Sequence, residues 1–318
     1  MFNIHIGSEL LMKTGTFPTN NGLNIFYRHW AGIERDSVIL CIHGLAGDSR
    51  IYDYLAKKSS SLGHNVYAID LPGHGKSDGE KGDVSFDHTV SSLHDVVAQI
   101  SETNHNAKIF MLGFSLGGLF ALWYARLHSE KLQGVIGLAP HLRIEGVKRD
   151  PRTEPSKEVL EFAIQKYSTN PEEKVHIGMA VPNAFGELAG EEWIHILKDP
   201  ICNFNYSFRY IFDVMIGRAE KIDELYKLRL PVLILQGDQD LITVPEQTRS
   251  FISRVESQDK ELRSFQGSDH WFYHTVFYEQ RERYSEAERM NVVNTISKWV
   301  RERSVSRQAE TIGLANKQ

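Results

Sequence analysis

The chain has 318 residues, 41% of them hydrophobic and 24% charged, an ordinary globular composition with apolar material for a large core. Its net charge of −5 argues against a nucleic-acid partner, whose footprint is a basic excess. Two cysteines, Cys41 and Cys202, are too few for a disulfide framework, share no metal-ligand spacing and suit a reducing compartment.

Residues 1–17 lack the basic start and long apolar centre of a secretory signal. No window approaches the roughly 18–20 apolar residues that a spanning helix needs. The expectation is a soluble, cytoplasmic protein. Peripheral contact with a membrane or micelle surface stays compatible with this.

In chain order, "SVILCIHG" (37–44) is a buried strand ending at glycine, and "NVYAIDLPGHG" (65–75) is a strand broken at Pro72. Residues 86–101 place Val90, Leu93, Val97 and Ile100 on one helix face. "KIFMLGF" (108–114) reads as a strand, 116–129 as a helix, and "GVIGLAP" (134–140) as a strand. After a long interruption come a strand at 230–237, a helix at 244–255 and a strand at 260–267. A closing helix at 286–303 carries Met290, Val293, Ile296 and Val300 on one face. Apolar strands alternating with helices predict an α/β protein whose mostly parallel sheet is covered on both faces.

Between 141 and 226 the rhythm stops. The segment is charged and proline-punctuated, then rich in aromatics: Phe185, Trp193, Phe204, Tyr206, Phe208, Tyr210 and Phe212. It reads as an inserted helical cap over the C-terminal edge of the sheet, with 1–140 and 227–318 forming the core. Most of these aromatics are expected in the cap's own core, and two or three in a pocket.

The stretch "MLGFSLGG" (111–118) sets Ser115 between Gly113 and Gly117, where a strand gives way to a helix. That is the pattern of a nucleophile elbow, in which small neighbours relieve the crowding of a sharp turn. A structural turn is the alternative. A serine hydroxyl needs a base, and the base needs an orienting acid. Downstream, "GDQD" offers Asp238 and Asp240, and "GSDHWFYH" offers His270 and His274. Asp240 is favoured, because Asp238 directly follows Gly237 and is placed to bond its own turn. His270, straight after the last strand, is favoured over His274, which lies one helical turn on. A zinc pair of His270 and His274 lacks a third ligand. The oxyanion would take backbone N–H groups from Leu116 and from the early loop "CIHGLAGDS", at Leu45. His43 and His74 are read as shaping their loops.

With these pieces the chain resembles the α/β-hydrolase family, and within it the monoacylglycerol lipase and lysophospholipase branch of serine aminopeptidase-like hydrolases. The matching stretches are "HGLAG" (43–47), "DLPGHGKSDGEKG" (70–82), "GFSLGG" (113–118), "PVLILQGDQDLI" (231–242) and "SQDKELRSFQGSDH" (257–270). The resemblance implies a Ser115–Asp240–His270 triad and an oxyanion hole from Leu45 and Leu116; the sequence shows no cofactor or metal requirement. The cap matches least. Segment 271–289 is longer than usual and brings Phe272, Tyr273, Phe277 and Tyr278 near the site.

The leading expectation is hydrolysis of a lipid monoester, a monoacylglycerol or lysophospholipid, with the cap holding the acyl chain. A short-chain carboxylesterase is one alternative. An aminopeptidase is another, and would need a carboxylate for the substrate amine, such as Glu154, Glu158, Glu161, Glu187, Glu191 or Glu192. Dehalogenase and epoxide-hydrolase chemistry is disfavoured, because those relatives carry Asp at the Ser115 position. A non-catalytic binding protein would normally have lost a triad member, and none is missing.

Overall fold

The computed structural model describes residues 12–34, 36–149, 156–177, 198–271 and 284–304. Among the described residues, eight strands form one sheet: β1 (Lys13–Pro18), β2 (Asn24–Trp30), β3 (Ser37–Ile42), β4 (Asn65–Ile69), β5 (Lys108–Phe114), β6 (Gly134–Leu138), β9 (Val232–Gly237) and β10 (Lys260–Phe265). Their order is β1-β2-β4-β3-β5-β6-β9-β10. The pairings from β4 to β10 are parallel, and β1–β2 and β2–β4 are antiparallel.

β3 is buried along its whole length, and its side chains alternate between two cores. Val38, Leu40 and Ile42 join one, with residues of helices α2 (Phe86–Thr103) and α3 (Leu116–Leu127). Ile39 and Cys41 join the other, with residues of α1 (Asp53–Ser61) and the closing helix. A strand buried on both faces needs no polar alternation, which is why its sequence is one apolar run. α3 is buried almost all round, from Leu116 to Ala125.

Several elements differ from the sequence expectation. β1, β2 and α1 were not foreseen. β1 is mostly exposed and β2 half-buried. α1 ends in a serine run and buries only Leu55, Ala56, Ser59 and Ser60, so its apolar signal is thin. The segment expected to hold only helical pieces also contains a small antiparallel sheet. In it β7 (Lys174–His176) pairs with β8 (Asn205–Ser207).

The same segment contains helix α4 (Lys157–Thr169) and a π-helical turn, Tyr210–Ile216. Of its aromatics, Phe204, Tyr206, Phe208 and Tyr210 are buried. Phe185 and Trp193 lie outside the described residues. Two more helices, α5 (Pro245–Arg254) and α6 (Glu286–Ser304), complete the layers. Proline at the first position of α5 costs no hydrogen bond, since that amide has no helical partner.

Candidate active site

Ser115, Asp240 and His270, the expected triad, lie at the C-terminal ends of β5, β9 and β10. Ser115 follows β5 directly and precedes α3, at φ 51° and ψ −116°. Such a conformation costs a non-glycine residue of order 1–3 kcal/mol and persists only where the surroundings enforce it. Here they do: the Ser115 amide donates to Leu138 O at 2.9 Å, and its carbonyl accepts from His141 N at 2.9 Å. The glycines on either side are forced by crowding. A Cβ on Gly113 would run into the Gly117 carbonyl, and one on Gly117 into the carbonyls of Ile42 and His43.

Asp240 lies in the turn after β9 and is buried. Its Oδ1 accepts from the amides of Ile242 and Thr243, each at 2.8 Å. Its Oδ2 accepts from Gln236 Nε2 at 2.8 Å and from His270 Nδ1 at 2.8 Å. Four donors compensate the burial of the carboxylate. Because Asp240 accepts at Nδ1, His270 carries its proton there and presents Nε2 as a base. Asp238 does something else: its Oδ1 takes the Gly267 amide at 2.7 Å, closing the turn beyond β10. His274 lies outside the described residues, as do Phe272, Tyr273, Phe277 and Tyr278.

Phe114, the residue before Ser115, packs its ring against His270, with the ring centroids 4.8 Å apart. No hydrogen bond joins the serine hydroxyl to His270 among the described residues. Catalytic hydrogen bonds commonly tighten only when substrate binds. Leu116 opens α3, where the first amides have no carbonyl four residues back. Leu45 lies in the turn closed by Gly47 N to Gly44 O at 3.3 Å. The Cβ position of Gly44 is 3.2 Å from Ser115 Cβ, so this turn borders the serine.

A family model described as serine aminopeptidase, S33 matches residues 33–281. The chain belongs to that family. Similar curated proteins include a monoglyceride lipase of Rattus norvegicus, 24% identical over 288 residues, covering 89% of this chain and 88% of the relative. A proline iminopeptidase of Saccharolobus solfataricus is 25% identical over 298 residues, covering 83% and 87%. Among solved structures, a soluble variant of monoglyceride lipase from Saccharomyces cerevisiae, in complex with a substrate analogue, superposes with a TM-score of 0.75. It is 23% identical and covers 95% of this chain and 97% of that one. The sheet with its surrounding helices is the α/β-hydrolase fold.

Around these residues, three buried histidines among those described have fixed roles of their own. His43 Nδ1 donates to Gly44 O at 2.7 Å, and its Nε2 accepts the Leu71 amide at 2.9 Å. Burial holds its pKa below the usual value. His74 Nδ1 donates to Pro72 O at 3.0 Å, and burial drives its pKa down to about 3. His141 follows β6, and its Nε2 donates to Met215 O at 2.9 Å. Its pKa is lowered to about 4, chiefly by burial, then by Arg143, with a smaller effect of His270. Its amide donates to the Ser115 carbonyl at 2.9 Å, which sets it beside the site. The sequence reading passed over His141, whose only signal is its place just beyond a parallel strand's C-terminal end.

Proposed function

We propose that this chain cleaves carboxylic esters of lipids, a monoacylglycerol or lysophospholipid, to fatty acid and alcohol. Ser115 is the nucleophile. His270 Nε2 takes its proton and later returns it to the leaving alcohol, and Asp240 holds the imidazole in that tautomer. Water then attacks the acyl-enzyme by the same route. The amides of Leu45 and Leu116 receive the tetrahedral oxyanion. The observation that carries this reading is the buried Asp240–His270 pair, 2.8 Å apart, beside a serine in a strained strand-to-helix turn.

In this reading 141–226 is the cap, and it supplies the apolar surface. Helix α4 buries none of its side chains, and leaves Val159, Leu160, Phe162 and Ile164 between 40% and 50% exposed. An amphipathic face of that kind suits contact with a micelle or a membrane surface. No helix among the described residues is long and apolar enough to cross a membrane. Free thiols at Cys41 and Cys202 fit a cytoplasmic setting.

The aminopeptidase alternative has less support. Glu158 and Glu161 are solvent-exposed, with Glu161 paired to Lys157 at 3.6 Å, so neither offers a sheltered seat for a substrate amine. Glu154, Glu187, Glu191 and Glu192 lie outside the described residues.

The test sets a long-chain monoacylglycerol, a lysophosphatidylcholine, a short p-nitrophenyl ester and an aminoacyl anilide side by side, with wild type and Ser115→Ala. A lipid substrate leading in kcat/KM, and a loss of several orders of magnitude in the variant, is the expected outcome. Turnover of the short ester or the anilide alone would overturn the lipid assignment. An unimpaired Ser115→Ala would remove the nucleophile.

A further inference from the structure

The turn bearing Leu45 is held from the inserted segment. The next residue, Ala46, has φ +59°, a left-handed conformation that a side chain disfavours. Its amide donates to the hydroxyl of Tyr206 in β8, 160 residues later, at 2.9 Å. The hydroxyl lies 2.9 Å from His74 Nε2. Proton directions in this chain are fixed from its end. The Pro72 carbonyl can only accept, so His74 Nδ1 donates to it and Nε2 accepts from Tyr206 O–H. The tyrosine oxygen is then left to accept the Ala46 amide. Tyr206 is fully buried, and Ala46 and His74 are nearly so. β8 is itself anchored: the Ser207 amide donates to Gly82 O at 3.0 Å. A second tie runs beside it, where Arg50 bridges Asp48 at 2.6 Å and Asp199 at 2.9 Å.

We infer that Tyr206 is a positioning residue for the oxyanion hole: it pins the 45–46 peptide, next in the chain to the 44–45 peptide that carries the Leu45 amide, and so holds the turn in which that amide faces the tetrahedral oxygen. This rests on the Ser115 hydrolase reading above. With its amide taken by Tyr206, Ala46 is not a donor to substrate. Leu45 ψ and Ala46 φ, the two torsions that flank this peptide, are set by a hydrogen bond made before substrate arrives. Such preorganisation acts on the transition state and not on ground-state binding.

Tyr206→Phe removes one oxygen and keeps the ring. Ester hydrolysis by this variant is expected to fall about tenfold in kcat with KM within twofold, part of the loss that follows deletion of a whole oxyanion donor. A trifluoromethyl ketone, whose hemiketal places an oxyanion in the hole, should lose affinity by the same factor. A residue that served stability alone would not move that ratio. His74→Phe, which removes the acceptor orienting the hydroxyl, should shift it in the same direction by less, and decides the matter if Tyr206→Phe does not fold. Amide exchange on the unaltered protein needs no variant: the Ala46 N–H should exchange slowly. Folded variants with unchanged kcat and ketone affinity, or an Ala46 amide exchanging like an open loop, would overturn the inference. If wild type fails to react with a fluorophosphonate, the Ser115 reading has failed instead.

Discussion

Asp240 and Asp238 stand two residues apart and hold different partners, so their substitutions should separate. In Asp240→Asn an NH2 must face at least one of the donors that now converge on the carboxylate, from Gln236, Ile242, Thr243 and His270. By the Ser-His-Asp template, kcat should fall by about four orders of magnitude as the imidazole loses its tautomer. The unpaired donor should cost about 1–3 kcal/mol of stability. Asp238→Asn touches only the Gly267 turn, and kcat should stay within a few-fold. Steady-state kinetics with a thermal melt checks both. Much of this site was legible because its demands are local: an elbow needs glycines at fixed offsets from Ser115, and an acid and a histidine must follow two strand ends. The Tyr206–Ala46 bond was not, because no local rule pairs a tyrosine with an amide 160 positions away.

At the scale of elements, the elbow is where a small change should do most harm. Gly117→Ala would push a methyl into the carbonyls of Ile42 and His43, which belong to a buried strand end and its turn and have little room to retreat. We expect a destabilisation above about 3 kcal/mol, with activity lost even in the fraction that folds, measured by denaturant melts and fluorophosphonate labelling. Helix α4 gives the opposite expectation. Leu160→Glu with Ile164→Glu alters exposed side chains, so stability should hold within about 0.5 kcal/mol. Vesicle binding, and turnover of monoacylglycerol presented in vesicles, should fall several-fold, while a soluble short ester is hydrolysed as before. Equal loss on both substrates would count against a lipid-facing role. Elements buried on both sides, such as β3 and β5, were readable as apolar runs. The half-buried β1–β2 hairpin and the serine-rich α1 were not, since little of their sequence faces the core.

Across the whole molecule, the strand order could not be read from spacing, because two antiparallel strands at one edge leave no trace in the parallel strand–helix rhythm. The buried histidines that brace this assembly give it a pH signature. His64 joins the beginning of β3 to α6, through Ser37 Oγ at 2.6 Å and Ser297 Oγ at 2.7 Å, and burial lowers its pKa to about 4. His74 is lowered to about 3 and His141 to about 4. In the unfolded chain all three return toward about 6.5. Between about pH 6.5 and 4 the unfolded state therefore binds more protons than the folded state, so stability rises with pH across that window. Their contribution is complete above pH 6.5 and is lost progressively as the pH falls toward the folded values. Each extra proton bound by the unfolded state adds about 1.4 kcal/mol per pH unit to the slope. Urea melts at pH 7.5, 6.5, 5.5 and 4.5 should show stability falling below pH 6.5, and His64→Gln should lower the slope near pH 5 by about one proton. A stability that is flat from pH 7 to 5 would mean that these imidazoles accept protons in place, which for His74 the Tyr206 hydroxyl already bonded to Nε2 argues against.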